Sequence, residues 1–163
     1  ISCNSFSKTL MPGLRLGWVA PGRFHHRLRE MKQISSITTA SAPQLLLGRL
    51  MESGFYAQHL QRLRWQLQQQ SRDTAALIRA TFPAGTRVEE PAGGCVLWVK
   101  LPGQSDSRQL FDQALAAGIH IFPGNVFSAG ARHYNYLRIN AGHPVTPAIR
   151  QAITKLGEMA SQL

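Results

Sequence analysis

The sequence predicts an α/β protein in which one long helix links two bodies. Three observations carry this. Residues 56–81 hold a single apolar stripe, Leu60, Leu63, Leu67, Thr74 and Ile78, at spacings of three and four or sums of them. That is the pattern of a helix with one buried face. At about 1.5 Å per residue such a helix approaches roughly 40 Å, more than most small domains need, and suits a connector. Beyond Phe82-Pro83, strand and helix patterns alternate in a way that makes a small α/β unit with its own core. Before the long helix, a strand, a polar turn and a second strand are followed by basic helical segments.

Taken in order, residues 1–4 read as the end of a short buried strand, and Ser5-Phe6-Ser7-Lys8-Thr9 as a turn. Residues 14–20 alternate well enough for a second strand, stopped at Pro21-Gly22. Residues 23–33 are expected to be a basic helix, with Arg23, Arg27, Arg29 and Lys32 set against Glu30. Ser35 to Ser41 is a Ser/Thr-rich linker. Pro43 then suits a helix start, and Gly54 closes that helix. In the last part, strands are expected at 86–89, 95–101, 119–122 and 136–140. A helix capped by Asp106 or Ser107 runs to Ala117 with Gly118 beyond it. Pro147 opens the final helix, whose apolar face is Ile149, Ile153, Leu156 and Met159.

Composition narrows the function classes. Among 163 residues, 44% are hydrophobic and 16% charged, which excludes a disordered chain. No apolar run approaches the roughly 20 residues that span a bilayer, so no membrane partner is expected. Cys3 and Cys95 are too few for a disulfide framework, and no Cys/His cluster has zinc spacing, so no metal is expected. A reducing, cytoplasmic setting follows as the expectation. The net charge of +10 points to nucleic acid, an anionic membrane surface, phosphorylated ligands or an acidic partner surface outside this chain. The chain opens Ile1-Ser2-Cys3-Asn4 without an initiator Met or signal peptide, and is expected to be a fragment.

Of the four lysines, Lys8 has the distinctive context. Ser5 and Ser7 precede it in a turn, and Arg15 follows on the next strand. Hydroxyls with a guanidinium make a phosphate cradle. A lysine beside that cradle can serve as an amine nucleophile. Phosphate recognition next to such a lysine suggests pyridoxal 5′-phosphate (PLP). A plain surface lysine in a turn is the competing reading. Elsewhere, the Arg-rich stretch 23–32 reads as a solvated or inter-subunit face. His25, His26 and His143 read as surface residues, and Cys95, Trp98 and Phe127 as core residues.

The segment Ser5-Phe6-Ser7-Lys8-Thr9-Leu10-x-Pro12-Gly13-Leu14-Arg15-Leu16-Gly17-Trp18 resembles the PLP-lysine segment of the fold type I aminotransferase superfamily. Gly93-Gly94-x-x-Leu97-Trp98-Val99, Pro123-Gly124-x-x-Phe127-Ser128 and Tyr136-Leu137-Arg138-Ile139-Asn140 resemble later motifs of that superfamily, in the same order. The wording is most similar to the aminotransferase-like domain of MocR-type regulators in the GntR family. Free-standing aminotransferases of the aromatic and 2-aminoadipate type are nearly as similar.

The resemblance implies the C-terminal part of a type I fold. Residues 1–55 would be the remnant of a large PLP-binding domain, 56–81 an interdomain helix, and 82–163 the small α/β domain. It implies that Lys8 forms the aldimine with PLP, and that Ser5, Ser7 and Arg15 contact the cofactor phosphate. Arg138 would receive the carboxylate of an amino-acid-like ligand, and Arg suits that role because its fork matches a carboxylate bidentately. An Arg paired with a structural carboxylate is the alternative. Residues 35–44 resemble the family's loop that crosses to a partner subunit, so a homodimer is implied, with DNA bound through a domain missing from this chain. The groups that pair with the pyridine nitrogen, stack on the ring and bond its 3′-oxygen would lie upstream. Whether the whole protein is a regulator or an enzyme stays open at this point.

Overall fold

The computed structural model describes residues 1–130 and 132–163. The chain divides into two compact units, Ile1–Leu63 and Arg64–Leu163.

The first unit begins with an antiparallel pair, β1 (Ser2–Ser5) and β2 (Gly17–Ala20), in which Ser2 faces Ala20 and Ser5 faces Gly17. A residue with a Cβ could not follow this path at position 17, because that atom would lie 2.7 Å from the Asn4 carbonyl. β2 is shorter than the expected strand 14–20. Pro12–Leu14 form a 3₁₀ turn, and Arg15 adopts the left-handed region with φ 49°, a conformation that no strand continues through. Both strands are exposed along their length rather than buried.

Helix α1 (His25–Ser36) buries none of its residues. It extends into the expected Ser/Thr linker because Lys32 Nζ donates to Ser36 Oγ and Thr39 Oγ1, both at 3.1 Å. Helix α2 (Ser41–Glu52) places Pro43 in its first turn, where a missing N–H costs nothing. The unit's core is small: Phe6, Leu14, Leu16 and Leu47, with Leu10 and Tyr56 packed against them.

Helix α3 (Phe55–Thr81) is continuous across the division between the units. In the second unit a four-stranded antiparallel sheet has the order β3 (Arg87–Glu89), β4 (Val96–Lys100), β6 (Tyr136–Asn140), β5 (Phe122–Pro123). Leu97, Val99, Leu137 and Ile139 project from one sheet face into a single core. Ala75 and Ile78 of α3, Leu110 and Ala114 of α4 (Ser107–Ala116), and Ile153 and Leu156 of α5 (Pro147–Ala160) complete it. Alternation then sends Trp98, Tyr136 and Arg138 to the other face, where each is partly exposed.

The helix signals act as expected. The Asp106 side chain accepts from the Arg108 N–H at 2.8 Å, and Thr146 Oγ1 accepts from the Ile149 N–H at 3.3 Å. β5 is shorter than the expected 119–122. The Ile119 N–H is committed to the Ala114 carbonyl at 2.8 Å, and Gly118 has φ 75°. That backbone closes α4 and cannot join a ladder.

Candidate functional site

Lys8 occupies the middle of a tight turn. The Leu10 N–H closes it onto the Phe6 carbonyl at 2.8 Å, and the Phe6 N–H holds it to the Leu16 carbonyl at 3.0 Å. Ser5 Oγ accepts from the Ser7 N–H at 3.1 Å and donates to the Leu16 carbonyl at 3.4 Å. Ser5 thus organises the backbone on both sides of the hairpin mouth. Because Ser5 faces Gly17, the return strand brings Arg15 to the same end as Ser5, Ser7 and Lys8.

The donors gathered there are free. Among the described residues, the Lys8 amine, the Ser7 hydroxyl and the Arg15 guanidinium have no hydrogen-bond or ion-pair partner, and Lys8 and Arg15 are exposed. The surrounding charge is one-sided, since the first unit has Glu30 and Glu52 as its acidic side chains against eight Lys and Arg. A dianionic phosphate suits this set: two cations, hydroxyl donors and no competing carboxylate. Arg15 achieves its position through the strained left-handed backbone described above, a feature often found where a side chain must be aimed.

The turn is also gripped from α3. Thr9 Oγ1 and Tyr56 Oη are hydrogen-bonded at 2.9 Å, and His59 Nε2 meets the Thr9 carbonyl at 2.9 Å. The Phe6 and Tyr56 rings pack edge to face, 5.9 Å apart. Sequence reasoning missed these residues. The available signal was Tyr56-x-x-His59 on one face at the start of the long helix.

In the second unit Arg138 is directly opposite Trp98 on β4 and Phe122 on β5. Its guanidinium lies 5.7 Å from the Phe122 ring centre and 5.5 Å from that of Phe127. Trp98 extends this collar, packing on Phe127 at 5.8 Å and Tyr136 at 5.3 Å. Among the described residues no carboxylate pairs with Arg138. Cation–π contacts hold the side chain in place without neutralising it, which leaves a fork for an incoming carboxylate. Phe127 is not a core aromatic: it is 50% exposed, because the 3₁₀ turn Gly124–Phe127 carries it onto the open sheet face.

His25, His26 and His143 are exposed, and among the described residues no three His, Cys, Asp or Glu side chains cluster in a way that could hold a metal. No described helix is long and apolar enough to cross a membrane.

The aminotransferase class I and II family matches this chain over residues 1–156. The chain belongs to that family. PLP is the cofactor this membership implies, and the donors around Lys8 fit it. The chain is 36% identical to the HTH-type transcriptional regulator YjiR of Escherichia coli K12, over 96% of this chain and 33% of the regulator. It is 30% identical to aromatic-amino-acid aminotransferase 1 of Thermococcus litoralis, over 97% of this chain and 38% of that enzyme. Its structure is similar to kynurenine aminotransferase of Pyrococcus horikoshii, solved in complex with PMP. That match has a TM-score of 0.88 at 26% identity and covers 98% of this chain and 40% of that one. The chain therefore spans between a third and two fifths of the length of these relatives. Its fold is the C-terminal portion of the type I aminotransferase fold.

Proposed function

We propose that the chain is the C-terminal part of a PLP-binding transcriptional regulator of the MocR type, within the GntR family. In this reading residues 1–55 complete the large PLP domain, 56–81 form the interdomain helix, and 82–163 are the small domain. The observation that carries it is the order of identities: 36% and 34% to two HTH-type regulators of Escherichia coli K12, against 30% to the aromatic-amino-acid aminotransferase. The protein would be a cytoplasmic homodimer that binds DNA through a domain outside this chain.

Lys8 is the amine that bonds PLP, with Ser5, Arg15 and Ser7 holding its phosphate. Arg138 holds the carboxylate of an amino-acid-like effector. PLP, when bound, supplies an electron sink for the ligand's α-carbon. In an enzyme the Lys8 amine would take the α-proton as general base. In a regulator the bound effector instead biases a domain equilibrium.

A free-standing aminotransferase is the second reading, supported by the 30% identity to the aromatic-amino-acid enzyme. The experiment uses the full-length protein loaded with PLP. It should show a visible or near-visible absorption band, and Lys8→Ala should abolish that band with the fold intact. A borohydride-stable adduct on another lysine overturns the Lys8 assignment. Effector-dependent DNA binding without keto-acid formation supports the regulator. Sustained keto-acid formation, with no DNA binding, makes the protein an enzyme.

A further inference from the structure

The Lys8 turn is closed by few bonds of its own, yet its two flanking residues are both fixed from outside. Phe6, two positions before Lys8, packs its ring on Tyr56. Thr9, the residue after Lys8, is gripped twice: its hydroxyl by the Tyr56 hydroxyl and its carbonyl by the His59 ring. Tyr56 and His59 are three residues apart on α3, so both rise from one helix face. A main-chain carbonyl can only accept, so His59 Nε2 must carry the hydrogen in that bond. The Phe55 ring lies parallel to the His59 ring, with 5° between the planes and 6.5 Å between centres. His59 is therefore itself oriented by its neighbour.

We infer that Tyr56 and His59 are positioning residues that latch the Lys8 turn. They hold the Lys8 backbone in fixed register with the cradle of Ser5 and Arg15 while leaving the Lys8 side chain free. The physical gain is preorganisation. A loose turn would have to be ordered each time Lys8 engages its partner, and that entropy would be lost from binding. Neither residue touches the cradle, so each acts through Thr9 and Phe6. The latch itself stands on the geometry alone, whereas its consequence for PLP rests on the function proposed above.

The test uses the full-length protein and two readouts. One is amide hydrogen exchange across residues 6–10 without cofactor, and the other is the rate at which added PLP becomes borohydride-fixed to Lys8. Tyr56→Phe and Thr9→Val should each speed exchange in the turn by about fivefold, the loss expected for one hydrogen bond of ordinary net strength. Because they share one bond, the double variant should be no faster than either single. His59→Ala should speed exchange similarly, and His59→Gln should restore it, since an amide N–H can donate to the same carbonyl. Exchange in α2 and in the second unit should be unchanged, and fixation of PLP at Lys8 should slow in the variants whose turn opens. Unchanged exchange in folded variants, a rise spread over the whole first unit, or strictly additive double-variant effects would overturn the latch. If the unaltered protein fixes no PLP at Lys8, the proposed function falls, and the exchange readout still decides the latch.

Discussion

Arg138 carries a full charge on a half-covered sheet face, with aromatic rings around it and no carboxylate paired to it. Such a charge is tolerable because the face is open, and it becomes selective when a ligand covers it. Arg138→Gln should therefore weaken a carboxylate-bearing effector by about 2–5 kcal/mol, as when a desolvated charge pair loses one member. Amines of the same shape without a carboxylate should be nearly unaffected, and Arg138→Lys should not restore affinity, since an ammonium lacks the fork. Calorimetric titration of both ligand types checks this, and equal losses would mean a structural role. The roles proposed for Lys8, Ser5, Arg15 and Arg138 could be argued from the sequence because they rest on residue types and their local order. The contacts of Tyr56 and His59 could not. Their contacts with Thr9 span 47 and 50 residues, and no local pattern announces a hydrogen bond that the fold creates.

Elements were readable where local chemistry decides them. The helices capped by Asp106 and Thr146 begin where their side-chain oxygens accept from the first-turn amides. β4 and β6 follow from alternation, since their inward residues share one core. Strand ends were less legible: Arg15 takes a left-handed backbone that its residue type does not announce, and the Gly118 turn that closes α4 also delays the start of β5. Close packing between elements was silent in the sequence too. Gly157 on α5 is an example: a Cβ there would collide with the Thr81 carbonyl at the end of α3 and crowd the Phe82 ring. The obstacle is backbone, which cannot swing aside as a flexible side chain would. Gly157→Ala should thus destabilise the second unit by roughly 1–3 kcal/mol, despite the better helix propensity of alanine. Denaturant unfolding followed by the fluorescence of Trp98, with Trp18 and Trp65 replaced by Phe in both proteins, measures this, and a neutral or stabilising result would show that α5 can shift at no cost.

The molecule as a whole is unevenly consolidated. Among the described residues the first unit has a core of Phe6, Leu14, Leu16 and Leu47, while sixteen buried apolar residues form that of the second. Helix α1 buries nothing, and Ile34 and Ile37 are 85% and 84% exposed. Burial at about 25 cal/mol per Å² is the main term opposing chain entropy, so a region with so little of it opens at low cost. Such regions are cut first by proteases when opening is fast relative to cleavage. Trypsin acting on this chain by itself should therefore cleave early at Arg23, Arg27, Arg29 or Lys32, all of them exposed on or beside α1. A C-terminal piece that begins within α3 and keeps the sheet with α4 and α5 should persist. Mass spectrometry of the time course identifies both products. Residues 1–45 surviving as long as 96–163 would mean that the first unit is held by something other than its own core, and would overturn this ranking of the two units.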